Sequence, residues 1–189
     1  MSMKNDPLNF LYERNPETGN YVIEIALDKY GDIFNEWDHA SYRKRDMDPE
    51  LAYFLEDSSA EIPLRYGIDL VFYLPHQEMD KRKEGLVISV VRNYYRFYTN
   101  VERRTLGRTF RRMLNYFLLA LALLTCTYIF SYWPQTFFLA LLSEGLSVGS
   151  WFCMWEAISF LLFERNEITT KIKTYDRLSR ANICFRYDT

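Results

Sequence analysis

Glu144 and Glu156 are the only charged residues between Met113 and Phe163, inside the most apolar stretch of this chain. An ionisable side chain in hydrocarbon costs at least about 2.5 kcal/mol and ordinarily faces protein or water. Repeated around a ring of subunits, either glutamate gives a cation-attracting pore. The alternative is that Glu156 is protonated or paired with Arg108, Arg111 or Arg112, and that Glu144 lies near the outer surface because the second span is long. Glu156 precedes Glu164 by eight residues, roughly 12 Å along a helix rising about 1.5 Å per residue, which sets it away from the interface. On a helical wheel Gly145 and Gly149 fall on the side of Glu156, in the spacing that lets helix backbones approach closely. Ser143, Ser147, Ser150 and Ala157 fall on the other side. One such face packs on a neighbouring helix of the same chain; the other needs a copy or a water-filled lumen, hence an expected homo-oligomer. Trp151 and Trp155 are expected to pack within the bundle.

A second group is basic and aromatic. Arg92, Arg96, Arg103, Arg104, Arg108, Arg111 and Arg112 are interleaved with Tyr94, Tyr95, Phe97 and Tyr98. Arginine charge beside aromatic faces suits a single-stranded nucleic acid or a nucleotide, with Arg92, Arg96, Tyr94, Tyr95, Arg103 and Arg104 as its contacts. The competing reading is that juxtamembrane arginines bind anionic lipid headgroups. Catalytic chemistry has little to work with. His39 and His76 are the only histidines and lie in no metal-ligand spacing, and no phosphate loop or nucleophile elbow is present. Asp28, Asp32, Glu36 and Asp38 have glycine at the wrong place for a calcium loop and read as a solvated acidic face. Neither an enzyme nor a cofactor is expected. Cys126, Cys153 and Cys184 match no disulfide or metal framework and read as packing residues.

The elements that must position these residues begin with the membrane. Met113–Trp133 is 21 residues and Thr136–Phe163 is 28, both free of Lys and Arg, and about 20 apolar residues cross a bilayer as a helix. Trp133-Pro134-Gln135 forces an antiparallel hairpin. Charge is distributed in blocks: residues 1–85 carry a balance of −8 and residues 86–112 one of +6 within a total of −2. Arginine and lysine flank both spans and are missing from the turn, so both termini are expected on the cytoplasmic side. The N-terminal residues show no apolar run of a signal peptide.

Around the hairpin the pattern is that of an α+β cytosolic head. Tyr21–Leu27 alternates as a strand, and Glu61–Leu74 alternates more strictly, with Pro63 and Gly67 as an edge or bulge. Phe34, Trp37 and Tyr42 anchor a long loop between them. Asp48-Pro49-Glu50 starts a short helix to about Glu56. From Glu78 the period becomes helical towards Arg112, with interruptions near Asn100 or Gly107. Glu164–Arg180 is a helical stalk, and Ile183, Phe185 and Tyr187 lie on one side of a last strand beside one of the first two. The organisation is therefore residues 1–112 as head and basic helix, 113–163 as transmembrane hairpin, and 164–189 as the helix and strand that complete a sheet of about three strands.

A small cytosolic head on a two-helix membrane hairpin, without an active site, resembles the membrane effectors of bacterial anti-phage systems, including the membrane subunit of Hailong-type systems. That resemblance implies an inner-membrane, oligomeric channel controlled by a nucleic-acid ligand from a partner nucleotidyltransferase. It would give the basic aromatic helix a ligand, and Glu144, Glu156 and the serine face a pore. A non-conducting membrane scaffold that recruits a cytosolic partner is the alternative function.

Overall fold

The computed structural model describes residues 7–35, 46–134 and 136–188, so Glu36, Trp37, Asp38, His39, Tyr42 and Gln135 lie outside the described residues. It divides into two compact units, residues 1–100 with 172–189, and residues 101–171. Residues 101–112 and 164–171 thus cluster with the apolar helices and not with the head.

The head is built on three strands, β1 (Tyr21–Ala26), β2 (Ile68–Pro75) and β3 (Asn182–Asp188), in the order β1-β2-β3. All pairings are parallel, with Ile23 opposite Leu70 and Leu70 opposite Ile183. Parallel neighbours need long crossovers, usually helical. The first is α1 (Pro49–Glu61); the second contains α2 (Lys81–Phe130), α3 (Phe137–Ser159) and α4 (Arg165–Arg180). One sheet face carries Tyr21, Ile23 and Ile25, Ile68, Leu70, Phe72 and Leu74, and Ile183, and these share a core with Ala52 and Leu55 of α1, Val87, Val91 and Tyr95 of α2, and Leu178 of α4. Phe72 and Phe185, directly opposite in register, stack with ring centroids 5.6 Å apart.

The other sheet face is half covered. At its amino end the buried carboxylate of Asp69 accepts hydrogen bonds from Asn15 (2.6 Å), Thr18 (2.8 Å) and Asn20 (2.8 Å). These three donors replace the water the carboxylate loses and tie down the turn in which Gly19 takes φ +72°. Towards the carboxyl end Glu24, Cys184 and Arg186 are exposed, and Tyr73 bridges the strands by donating to Glu24 (2.7 Å) and accepting from Arg186 (2.8 Å).

Helix boundaries differ from those the sequence suggests, for local reasons. Asp48 caps α1 as expected, accepting from the amides of Glu50 (2.9 Å) and Leu51 (3.2 Å). The helix runs on to Glu61 because Ala52, Leu55, Ser58 and Ser59 continue its buried face. The alternation from Glu61 to Tyr66 is therefore not strand. It is the end of α1 and a turn in which the Tyr66 amide bonds to the Pro63 carbonyl at 3.0 Å, and β2 starts only at Ile68. Asp80 starts α2 by accepting from the Arg82 amide at 2.9 Å. No break occurs at Asn100 or Gly107: α2 is one helix of 50 residues, the cost of a glycine in a helix, about 1 kcal/mol, being outweighed by its helix-forming neighbours.

In the second unit, α2 ends at Phe130, and α3 starts with Thr136 as cap, accepting from the Leu139 amide at 3.4 Å. Between α3 and α4 the chain forms a π turn at Phe160–Glu164, in which the Arg165 amide bonds to the Phe160 carbonyl. Both long helices are long and apolar enough to cross a membrane. Only 6 % of the most apolar window of Lys81–Phe130 is buried, and 22 % of that of Phe137–Arg180. A core helix of a soluble domain would bury most of that surface.

Candidate functional site

The second unit places the residues of α3 on two different faces. Ser150, Cys153, Ala157 and Phe160 are buried, at spacings of three, four and three residues that form one helical stripe. That stripe faces α2, where Ala120 is fully buried, and Gly149 lies at its margin with the Leu123 Cδ1 atom 3.7 Å from the position a Cβ would take. The small residues allow this approach. Ser150 donates to the carbonyl of Ser147 (2.6 Å) and Ser143 to that of Ala140 (2.9 Å). Both hydroxyl protons are thereby used within the helix, as serine commonly does mid-helix.

The pair Gly145 and Gly149 is split: Gly149 touches α2, whereas nothing lies within 4 Å of a Cβ built at Gly145. Glu144 and Gly145 are exposed together with Val148, Trp151, Phe152 and Trp155. The two tryptophans, 71 % and 64 % exposed, do not pack within the chain's own helix pair as expected, because Ser150, Cys153 and Ala157 fill that contact. Of the three cysteines only Cys153 packs in the interior; Cys126 and Cys184 are exposed.

Glu156 has a different environment from Glu144. It is half-buried and lines a cavity of about 30 Å³ with Arg112, Tyr116, Phe160 and Glu164, a space on the scale of one water molecule. Both carboxylates act electrostatically on Arg112, whose Nη2 stands 3.5 Å from the Tyr116 hydroxyl. Glu156 and Arg112 thus line one cavity without forming an ion pair among the described residues. The π turn is what gathers it: an i→i+5 turn rotates less per residue than an α-helix, which returns Glu164 to the stripe of Glu156 and Phe160. No pattern of residue types announces that turn, so the convergence of Glu164 on Glu156 is not readable from spacing.

The basic aromatic group separates. Arg92, Tyr94, Tyr95 and Arg96 belong to the first unit, Arg103 and Arg104 to the second. Tyr95 is fully buried and donates to the Ala52 carbonyl at 3.4 Å. Tyr94 is half-buried, with ring centroids 5.2 Å from Tyr95 and 4.6 Å from Tyr98, and Tyr175 of α4 completes the cluster 6.0 Å from Tyr95. Burial pushes both the Tyr94 and Tyr95 phenols well above the usual tyrosine range. These rings are core, not stacking platforms, whereas Arg96, Arg103 and Arg104 are exposed and Arg92 is half-buried.

No protein family, curated protein or solved structure matches this chain.

Two clefts in the head were not expected from sequence. At the carboxyl ends of the strands, the place where parallel sheets ordinarily take ligands, a cavity of about 530 Å³ is lined by Asp28, Asp32, Tyr73, His76 and Asp188 among others. Asp32 is engaged there, accepting from the Lys29 amide at 3.0 Å and pairing with its ammonium at 3.7 Å. Among the described residues no group of His, Cys, Asp and Glu is arranged to hold a metal ion. At the opposite, amino ends of β2 and β3 a second cleft is basic.

Proposed function

We propose that this chain is a two-pass membrane effector, inserted in the bacterial inner membrane with both termini cytoplasmic. It assembles with copies of itself into an ion-conducting path that a ligand or partner of the head opens or closes. What supports this reading above all is the outward face of α3. Glu144 is exposed on an apolar helix, one turn and more inside its start, next to Gly145, whose α-carbon has open space where a side chain would be. In lipid such a face is costly; against a second α3, or around water, it is not. Glu144 is therefore assigned to the conducting path and Glu156, which lines a cavity with Arg112, to holding α3 on α2. By resemblance to anti-phage membrane effectors, the gating ligand is a nucleotide or oligonucleotide made by a nucleotidyltransferase partner.

The test is cation flux through liposomes carrying the full chain. Glu144→Gln should reduce the preference for cations over anions several-fold, and Glu156→Gln should act through helix packing, lowering thermal stability in detergent. A protein that stays monomeric in detergent and conducts under no condition sinks the channel reading. One observation favours a scaffold in that event. Parallel sheets are almost always covered on both faces, and the row of exposed Glu24 and Arg186 with half-buried Tyr73 between them would then be where a cytosolic partner docks.

A further inference from the structure

The cleft at the amino ends of the strands measures about 480 Å³ and is formed by the segments around Asn20 and Leu64–Ile68, and by one side of α4 with Ala181 and Asn182. Its charged lining is Arg65, Lys173, Arg177 and Arg180 against a single carboxylate, Asp176. Asp176 pairs with Arg180 at 3.1 Å, which leaves three cations with no carboxylate opposite.

Each of the three is held or free in a particular way. Arg177 is anchored: its guanidinium donates to the carbonyls of Ser59, Ile62 (2.9 Å), Pro63 (3.2 Å) and Tyr66 (3.4 Å) and to the hydroxyl of Ser59 (2.8 Å). Its Nε is buried without a hydrogen-bond partner among the described residues, and desolvation lowers its pKa, as suits a positive charge met by carbonyl and hydroxyl dipoles and by no carboxylate. Arg65 is exposed, its guanidinium carbon 4.8 Å from the centroid of the Tyr66 ring, a stacking that orients the fork while leaving its donors available. Lys173 is exposed at the rim.

We propose that this cleft binds a phosphate-bearing anion. Arg177 contributes a fixed positive charge at the wall, its own N–H groups being engaged or buried, while the oriented guanidinium of Arg65 and the mobile ammonium of Lys173 supply the donors that a phosphate or diphosphate takes. The volume lies in the range of small-molecule sites. The site gives a chemistry to the ligand of the head, and so rests on the proposed gating only for its biological meaning; binding is measured on a protein whether or not it conducts. It also moves that ligand away from Tyr94 and Tyr95, which the core has claimed. The phosphate comes either from a soluble molecule or from a lipid headgroup.

Calorimetric titration of the full chain in neutral detergent distinguishes these, with inorganic pyrophosphate in one arm and short-chain phosphatidic acid in the other. Saturable binding of at least one anion is expected. Arg65→Ala and Lys173→Glu should each weaken it about tenfold or more, the loss of one charge-assisted contact. Arg82→Glu, at an exposed position outside the cleft, makes the same change in net charge as Lys173→Glu and should leave affinity within about threefold. Response to pyrophosphate identifies a soluble phosphate, and response to phosphatidic acid alone a headgroup. Arg65 and Lys173 are exposed, so neither substitution removes core packing, and unchanged amide protection of β2 verifies this. Absence of binding in both arms, unchanged affinity in both cleft variants, or an equal loss in Arg82→Glu overturns the proposal. Binding that survives in a protein with no flux would retire the channel and keep the site.

Discussion

Arg177→Met isolates the contact that closes the head. The side chain comes from α4 and its acceptors from the end of α1 and the turn before β2, more than a hundred residues away in sequence. Methionine keeps the apolar stem and removes the donors. Ser59 and Ile62 are essentially fully buried, so their carbonyls lose a partner that water does not readily replace, at about 1–3 kcal/mol each. Against this stands relief from desolvating a half-buried guanidinium with no facing carboxylate, a term of opposite sign. A net loss of about 3 kcal/mol follows, equal to roughly 150-fold at about 1.4 kcal/mol per decade. Hydrogen exchange of the full chain in detergent, read on peptides from α1 through β2, reports that opening free energy directly. Arg177→Lys, with a point charge in place of a fork, should fall between. Arg180→Met breaks only an exposed pair within α4 and should change exchange by no more than about twofold. Protection in Arg177→Met within about threefold of the parent would refute the reasoning, and would mean that the turn is held by its own backbone.

Ala120→Leu should overpack the contact between α2 and α3 and cost about 1–3 kcal/mol, whereas nothing lies within 4 Å of the Cβ that Gly145→Leu would add. Light scattering in detergent should show Gly145→Leu reducing the mass of the oligomer with the thermal midpoint unchanged; an unaltered mass would remove Gly145 from any contact between copies. A separate expectation concerns alkaline pH. Tyr187 donates to Glu84 at 2.6 Å, so the Tyr30 hydroxyl, 2.8 Å away, is the donor in their contact. Burial first, then these bonds, push the Tyr187 phenol well above the usual tyrosine range. Unfolded tyrosine releases its proton near pH 10 and the folded residue does not, so this part of the stability is intact below about pH 10 and is lost as pH rises through the folded value. Tyr187→Phe should make the melting temperature of the head fall less steeply between about pH 10 and 11, and an unchanged slope would count against it.

Much of this architecture is legible in the sequence because it rests on local period. Tyr21–Leu27, the later part of Glu61–Leu74, and Ile183, Phe185 and Tyr187 are strands on their alternation. The two apolar helices follow from length and charge, and the Asp48 cap from chemistry alone. What is not legible depends on partners distant in the chain. Residues 62–66 alternate like a strand, but Arg177, from α4, binds their carbonyls in a turn. Tyr94 and Tyr95 stand among arginines in sequence, but Tyr175 and Ala52 take them into the core. Arg65 and Lys173 are 108 residues apart and share a cleft because β2 and β3 are neighbours. Strand direction is likewise a property of connections, not of periodicity, and the π turn that gathers Glu156 and Glu164 leaves no trace in residue types.

The placement of β3 beside β2 also fixes an order of events during synthesis. The two strands are separated by residues 76–181, which include both apolar helices. At about 5–20 residues per second, the ribosome needs on the order of 5–20 s after releasing β2 before residues 182–188 emerge. Through that interval one edge of β2 lies open, a template for wrong pairing, beside Leu70 and Phe72, whose cover from α4 has yet to be made. A nascent chain broken off anywhere in the apolar segment keeps that open edge permanently. Closure of the sheet is thereby a record that the whole intervening segment has been made, and incomplete copies carry the exposed strand by which a cell's quality control can recognise and remove them.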